Sequence, residues 1–212
     1  HQLRTPLAAA LLYAGNLENP DLPAANRVAI AQKTVARLKH LERLIQDMLL
    51  FARGEALGRE TFPLADLFAE LAQTCDPLAR TKEARLLFES RAGELAITGN
   101  RKALVGALTN LVDNALQAVA AGTGQVVLAA SRQGEQLLLT VGDNGPGMPA
   151  DVVARLFEPF FTTRSDGTGL GLAIARGVIR AHGGAIEVRS TLGTGTEFVI
   201  TLPLHEVSCP KV

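Results

Sequence analysis

Two glycine-rich stretches decide the fold of this chain: Asp143-Asn144-Gly145-Pro146-Gly147-Met148-Pro149 and Gly167-Thr168-Gly169-Leu170-Gly171-Leu172. The first follows an alternating apolar run over residues 136–142, which predicts a strand that delivers Asp143 to its edge. The second opens a helical pattern, so its glycines are expected at a helix N-terminus, where unpaired N–H groups and the helix dipole favour phosphate. A carboxylate at one end of a pocket and a phosphate cradle at the other predict a nucleotide site.

The composition narrows the classes of function. Lys plus Arg and Asp plus Glu both number 21 in 212 residues, so no basic excess points to nucleic acid or to an anionic membrane surface. Aromatic residues are scarce and Trp is absent, which argues against a surface for stacking bases. Cys75 and Cys209 lack metal-ligand spacing, imply no disulfide framework and fit a reducing compartment. We expect a cytoplasmic segment with no nucleic-acid partner.

The sequence also contains no signal peptide and no apolar run near the ~18 residues that a membrane helix needs. We therefore expect no membrane contact by this segment. Because the chain begins at His1 rather than at Met, we expect it to be part of a longer protein, and anchoring upstream of His1 stays open.

The first quarter of the chain predicts a helical hairpin. Apolar residues spaced three or four apart indicate helices over residues 1–17 and 24–52, with two prolines in the turn between them. Two helices cannot enclose a core, so the hairpin either packs on the rest of the chain or forms a homodimeric four-helix bundle. We favour the bundle because both apolar stripes are long. The glycines of residues 54–59 predict a linker, which gives domains at 1–54 and 60–205.

The second domain has the pattern of an α+β sandwich, with a mixed sheet covered by helices on one face. Helices are predicted from residue 63 onward, over 101–120 and from the second glycine stretch to Gly183-Gly184. Strands are predicted over residues 85–89, 95–98, 125–130, 136–141, 185–190 and 196–202.

Two asparagines occupy one face of the helix predicted over residues 101–120. Asn110 and Asn114 are four residues apart, whereas Asp113 lies one step round and is interpreted as a surface residue. A single mid-helix Asn is usually solvated, but two in register flanked by apolar residues indicate a polar target. Amide oxygens are suitable ligands for Mg²⁺, which keeps several waters and bridges phosphates.

The strand-end carboxylate of Asp143 could accept a hydrogen bond from the exocyclic amine of adenine. The alternative is simple turn chemistry, because Asp before Gly-Pro-Gly is common in turns. Gly145 and Gly147 would permit a backbone approach that a Cβ would block.

Five motifs in this order resemble those of sensor histidine kinases. Residues His1–Leu7 are similar to the H box, Asn110–Ala115 to the N box, Asp143–Gly147 to the G1 box, Phe157–Phe161 to the F box and Gly167–Leu172 to the G2 box. The resemblance covers nearly the whole chain. It implies a HisKA-type dimerisation and phosphotransfer hairpin followed by the Bergerat-type ATP fold of the GHKL ATPases.

The resemblance also implies a role for each matching residue. His1 would attack the γ-phosphate of ATP, and the phosphoryl group would pass to an Asp in the receiver domain of a response regulator. Asn114 matches the Mg²⁺ ligand, Asn110 the phosphate side and Asp143 the residue that reads adenine. The other nucleotide contacts would come from Gly145, Gly147, Arg164, Gly167, Thr168, Gly169, Leu170 and Gly171, with a short lid over residues 157–167.

One departure from the family pattern concerns catalysis. Most relatives carry Glu or Asp after the reactive His, but Gln2 cannot accept a proton. Thr5 matches the position that orients water for dephosphorylation of the partner, so phosphatase activity is expected as well. A phosphatase-dominant regulator and a GHKL-type ATPase without autokinase activity are the alternatives.

The run after His1 is also similar to flagellar two-component kinases that pair with NtrC-type response regulators. The remaining histidines, His40, His182 and His205, have no partner at metal-ligand spacing and are interpreted as structural. His182 is expected at a helix C-terminus, where positive charge is favourable.

Overall fold

The computed structural model describes residues 4–20, 22–52, 58–164 and 167–204. Its first part is the expected hairpin of two helices, α1 (Arg4–Asn16) and α2 (Ala24–Ala52), which pack on each other. The turn between them is closed by backbone bonds, among them Leu22 N–H to the Asn19 carbonyl oxygen at 3.3 Å. The hairpin follows the predicted bounds closely within the described residues.

The remaining residues form an α+β unit. In chain order its elements are β1 (Glu60–Pro63), α3 (Leu64–Thr81), β2 (Arg85–Arg91), β3 (Ala96–Gly99), α4 (Arg101–Ala118), β4 (Gln125–Gln133), β5 (Gln136–Asp143), α5 (Ala150–Arg155), α6 (Gly171–Ala181), β6 (Ala185–Thr191) and β7 (Gly195–Pro203). Strands β1 and β3 pair in a small antiparallel sheet, and the other five form a sheet of order β2-β4-β5-β7-β6.

The five-stranded sheet is mixed, as predicted. Strands β2 and β4 run parallel because the chain between them crosses over through β3 and α4, while the neighbouring pairs are antiparallel. Strands β4–β5 and β6–β7 are joined by tight turns, in which Gly134 and Gly193 have positive φ. The predicted α+β class is confirmed.

The core lies between one face of this sheet and helices α3, α4 and α6. Alternate residues of the central strands, such as Leu128, Leu139 and Ile200, are fully buried. They meet helical residues that include Leu108 and Ile179, also fully buried. Burial of each such side chain stabilises the fold by about 1.5–3 kcal/mol, so this one-sided core holds α4 and α6 side by side.

Two elements give no clear pattern in the sequence. Strand β1 has four residues, of which only Phe62 is buried, and its position is set by pairing with β3. Helix α5 has six residues and buries none of them. Neither presents the repeated apolar spacing on which sequence-based assignment depends. In the described part of the chain, no helix combines the length and apolarity that crossing a membrane requires.

Candidate nucleotide site

Asp143 is the last residue of β5, and the strand register places it opposite Thr196 on β7. Its Oδ1 atom accepts the backbone N–H of Gly145 at 2.8 Å, and the backbone N–H of Thr196 also interacts with the carboxylate. A carboxylate has more acceptor positions than these two donors use, so the group can still accept from a ligand amine.

Burial raises the pKa of the Asp143 carboxyl, while the hydrogen bonds from Gly145 and Thr196 oppose that effect by stabilising the anion. Thr196 itself is buried, and its hydroxyl lies 2.9 Å from the Ser190 hydroxyl. The Ser190 hydroxyl in turn accepts the N–H of Met148 at 2.8 Å. The turn after Asp143 is therefore bonded to β6 of the final hairpin, while the Asp143 carboxylate interacts with β7.

Two glycines of the G1 box have no room for a side chain. A Cβ on Gly145 would lie 2.8 Å from Asp143 Oδ1 and 3.0 Å from the carbonyl oxygen of Ala118, at the end of α4. Gly147 has φ +68°, and a Cβ there would overlap the carbonyl oxygen of Thr191. The G1 box thus packs backbone against backbone, as the sequence predicts.

Asn110 and Asn114 lie on α4, half-buried, and both amides donate inside the protein. Asn110 Nδ2 donates to the carbonyl oxygen of Gly171 at 3.2 Å, and Asn114 Nδ2 donates to the carbonyl oxygen of Asn110 at 2.9 Å. These bonds orient the amides and leave the Oδ1 oxygens as the acceptors available to a cation. Asp113 is bonded to Gln117 Nε2 at 2.6 Å instead.

The G2 box joins the lid to the start of α6. Leu170 N–H donates to the Thr168 hydroxyl at 3.2 Å, and a Cβ on Gly171 would be 3.5 Å from Asn110 Cγ. The N-cap residue of α6 is Leu170, whose side chain makes no capping hydrogen bond to the helix. The first N–H groups of α6 are therefore suitable donors to phosphate oxygens.

The lid is closed at its base by a backbone hydrogen bond from Phe160 N–H to the Gly169 carbonyl oxygen at 2.7 Å. Phe160 has φ +68° and Gly169 has φ +66°. Arg164 lies in a turn within the lid, where its N–H donates to the Thr162 hydroxyl at 3.1 Å and its carbonyl oxygen accepts the Gly167 N–H at 3.4 Å.

The F box is held by two arginines that sequence reasoning did not single out. Arg176 of α6 donates to the carbonyl oxygen of Phe157 at 3.1 Å, and its guanidinium lies 5.2 Å from the centre of that ring. Arg155 lies 4.3 Å from the centre of the Phe161 ring and pairs with Glu158 at 3.1 Å. Their signal in the sequence is weak, because arginines near a loop are usually solvated.

The N box lies on helix α4, and the G1 and G2 boxes both pack against this helix. Gly171 packs at Asn110 and Gly145 packs at Ala118, eight residues further along the same helix. Eight residues span about 12 Å, which is a suitable length for a nucleotide lying along the helix. The fold thus brings the N, G1 and G2 boxes together.

The H box falls mostly outside this description. His1 and Gln2 lie outside the described residues, and Thr5 belongs to α1 without a described side chain.

Thr196 is a candidate residue of the nucleotide site that sequence reasoning missed. The available signal was its place after Gly195 in the last hairpin, but only the β5–β7 register sets it opposite Asp143.

Comparison with known families is consistent with this arrangement. A family model described as histidine kinase-, DNA gyrase B-, and HSP90-like ATPase matches residues 99–206, half of the chain. The His Kinase A (phospho-acceptor) domain model matches residues 1–57. The chain belongs to the histidine kinase family. Because the first model is that of an ATPase family, membership implies that this part of the chain binds ATP.

Among relatives of this histidine kinase, the sensor protein kinase FleS of Pseudomonas aeruginosa strain PAO1 is 44% identical over 204 residues, covering 96% of the chain and 50% of FleS. The chain thus spans about half the length of that relative. Full-length ShkA in complex with AMPPNP matches with a TM-score of 0.75 and 31% identity, over 100% of the chain and 46% of ShkA.

The fold is also shared with histidine kinase ThkA in its complex with the response regulator protein TrrA. The TM-score is 0.75 at 24% identity, over 97% of this chain and 59% of ThkA. At that identity the likeness establishes the fold alone.

Proposed function

We propose that this chain is the core of a sensor histidine kinase, which phosphorylates His1 from Mg-ATP and passes the phosphoryl group to an Asp of a response regulator. The observation that carries the proposal is that the Asp143 turn, the Asn110 and Asn114 amides and the start of α6 all lie along helix α4. We also propose that residues 1–54 and 60–205 act as the phosphotransfer and catalytic domains.

In this mechanism the carboxylate of Asp143 accepts a hydrogen bond from the exocyclic amine of adenine, and the N–H groups at the start of α6 donate to the phosphates. Membership of the family supports ATP as the nucleotide, and the relative ShkA was solved with AMPPNP. Arg164 in the lid and Thr168 in the G2 box complete the proposed phosphate contacts.

Asn114 is the proposed Mg²⁺ ligand, with Asn110 beside it on the phosphate side. Both amides donate their N–H₂ groups inward, which leaves oxygen acceptors for a hard cation. In the described residues no group of three or more His, Cys, Asp or Glu could hold a metal. Asn114 would therefore hold Mg²⁺ together with the nucleotide phosphates and water. When bound, Mg²⁺ would offset the charge of the transferring phosphoryl group.

At His1 a neutral imidazole nitrogen carries the lone pair that would attack the γ-phosphorus. A nitrogen–phosphorus bond forms as the bond from the γ-phosphorus to the bridging oxygen of ADP breaks. Gln2 can orient the ring but cannot accept its proton, so we expect slower phosphorylation than with a carboxylate at that position.

The hairpin is the proposed dimerisation element. Apolar side chains of α1 and α2 remain exposed in the single chain, among them Leu11 at 64% and Leu12 at 66%. A second copy would bury them in a four-helix bundle. The receiver domain of a response regulator is the proposed acceptor, which the match to the His Kinase A (phospho-acceptor) domain model supports. An NtrC-type regulator is the finer proposal, and it rests on the resemblance of the run after His1 to flagellar two-component kinases.

The test uses ATP labelled at the γ-phosphate. We expect a protein-bound phosphate that is acid-labile and base-stable, as expected of phosphohistidine, and no label in His1→Gln, with Thr5→Ala as the variant that keeps it. Label that persists in His1→Gln would remove His1 as the acceptor. Steady phosphate release without any phosphoprotein would instead favour a GHKL-type ATPase.

A phosphatase-dominant regulator is the second candidate, because Gln2 lacks the carboxylate that promotes phosphorylation of His1. The discriminating measurement is the decay of a phosphorylated response regulator with wild type and with Thr5→Ala. This candidate is favoured if the wild type accelerates the decay and Thr5→Ala does not. The accelerated decay must also be faster than phosphorylation of His1.

A further inference from the structure

The clearest feature without an assigned role is the imidazole of His182, which follows the last residue of α6. Its Nδ1 atom lies 2.7 Å from the carbonyl oxygen of Val178, and its Nε2 atom lies 2.9 Å from the backbone nitrogen of Asn100. A carbonyl oxygen only accepts and a backbone N–H only donates. The ring is therefore the neutral Nδ1–H tautomer, and its contacts are not those of the cation expected at a helix C-terminus.

His182 is packed closely against the residue before Asn100. A Cβ on Gly99 would lie 2.5 Å from His182 Cδ2 and 2.8 Å from Nε2, so the ring occupies the space that a side chain would need. Asn100 also caps α4, because its Oδ1 atom accepts the N–H of Ala103 at 2.9 Å. Through one residue, the end of α6 is bonded to the start of α4.

A second bond joins the same two helices, from Asn110 Nδ2 in the middle of α4 to the carbonyl oxygen of Gly171 at the start of α6, at 3.2 Å. The two attachment points are ten residues apart on the α4 side (Asn100 and Asn110) and eleven on the α6 side (Gly171 and His182), or about 15–17 Å. The buried core holds α6 against α4, and the two attachments add a fixed point at each end of α6. The nucleotide site lies at the end where Gly171 meets Asn110.

We propose that His182 is a positioning residue of the nucleotide site: by accepting the Asn100 N–H and donating to Val178, it holds α6 so that the G2 glycines meet the N-box amides. The chain from the hairpin enters at the same place. Arg59 donates to the carbonyl oxygen of Ala181 at 3.3 Å, and Glu60 pairs with Gly99 across β1 and β3. The proposal rests on the nucleotide site of the proposed function.

Two conservative variants separate positioning from simple capping of α6. In His182→Gln, Oε1 can take the place of Nε2 and accept from Asn100. In His182→Asn the shorter side chain can reach only the local backbone of α6, and Asn is itself a favoured residue at helix C-termini. A role limited to capping predicts that Asn replaces His at least as well as Gln does.

The measurement is binding of a fluorescent ATP analogue to the full chain with Mg²⁺, together with exchange of the Asn100 amide hydrogen followed by NMR. We expect His182→Gln to keep affinity within about threefold and to keep the Asn100 amide protected. We expect His182→Asn to lose about tenfold in affinity and to lose the protection, which corresponds to one lost hydrogen bond to a half-buried donor. Thermal melts verify that both variants are folded at the assay temperature.

Equal affinity of the Asn variant and the wild type, or equal loss in both variants, would overturn the role of His182. A wild type that binds no nucleotide would overturn the proposed function as well, so the two failures are distinguishable. His182→Leu, which can neither accept nor donate, extends the series, and the Gln and Asn pair decides the result if the Leu variant does not fold.

Discussion

The N–H of Phe160 donates to the carbonyl oxygen of Gly169 at 2.7 Å, and this bond closes the base of the lid between the F box and the G2 box. Both residues have a left-handed backbone, which costs Phe160 about 1–2 kcal/mol because it carries a Cβ. The surrounding contacts of Phe157 and Phe161 with Arg176 and Arg155 hold this strained segment in place. This bond gives the segment between Phe160 and Gly169 one fixed point at its base.

Gly169→Ala tests that fixed point. A Cβ at Gly169 would overlap the backbone of Phe160, so we expect the lid base to open and affinity for Mg-ATP to fall at least about tenfold. Gly134→Ala is the matched control, because Gly134 has a similar φ of +60° with nothing near its Cβ position. It should lower the free energy of unfolding by about 1 kcal/mol and leave affinity unchanged. Isothermal titration calorimetry and urea unfolding give both quantities, and equal affinities of the two variants would contradict the expectation.

Asp143→Asn should lower the affinity for ATP and, above the pKa of the carboxyl, raise the stability of the fold relative to wild type. The amide can still accept the Gly145 N–H, but an adenine amine would meet a weaker acceptor, so we expect ATP affinity to fall about tenfold or more. Because burial raises the pKa of Asp143, the folded state holds the proton more tightly than the unfolded state. The wild type therefore loses stability as pH rises from the unfolded-state pKa of ~3.9 through the folded-state pKa.

The melting temperatures of wild type and Asp143→Asn, measured as a function of pH, test whether the wild type loses stability as pH rises. The Asn variant lacks the titrating carboxyl, so its melting temperature relative to wild type should increase across that window and level off above it. A difference that is constant with pH, or one that decreases as pH rises, would show that the buried carboxylate does not govern this part of the stability curve.

Asn114→Ala tests the proposed metal ligand without relying on kinase activity. Mg²⁺ should strengthen binding of the nucleotide analogue to the wild type, and this gain should shrink at least about fivefold in the variant because one oxygen ligand is lost. Asp113→Asn, next along the helix and bonded to Gln117, is the control and should keep the full Mg²⁺ effect. If the Mg²⁺ effect shrank in Asp113→Asn but not in Asn114→Ala, the metal would lie near Asp113, and the proposed ligand would be wrong.

Cys75 should be unreactive while the protein is folded. Its side chain is fully buried on α3, and burial raises the pKa of the thiol to about 11, so the thiolate is on the order of a thousandth of the population at pH 8. In a Cys209→Ser background, modification by a thiol reagent should follow the fraction unfolded in urea. Rapid modification in buffer without urea would show that the core between α3 and α4 opens locally.

Much of the fold and of the nucleotide site was predictable because both depend on short-range patterns. Helix α4 and strands β4 and β5 have apolar spacings of 3.6 and 2 residues, and these spacings survive in the structure as buried faces. Strand β1 and helix α5 were missed because they are short and bury one residue or none. The roles of the site residues in binding ATP and Mg²⁺ stay predictions.

The contacts of His182 illustrate what a local reading misses. Its place after α6 was predicted, and that place suggested a positive ring near the helix dipole. The structure instead gives it Asn100 as a donor, a residue 82 positions earlier in the chain, and this partner requires a neutral ring. The helix dipole favours a positive side chain at a C-terminus, but a nearby hydrogen-bond donor such as the Asn100 N–H favours the neutral ring.

By itself, the sequence determined the chemical groups and their local geometry: a strand that ends in Asp143, two amides on one helix face and glycines where the backbone needs positive φ or close contact. The tertiary structure decided which of these groups meet, such as Asn110 with Gly171 and Asp143 with Thr196. The physical reason is that periodicity is set by neighbouring residues, whereas strand register and helix packing depend on the whole core, where burial of side chains far apart in the chain selects one arrangement.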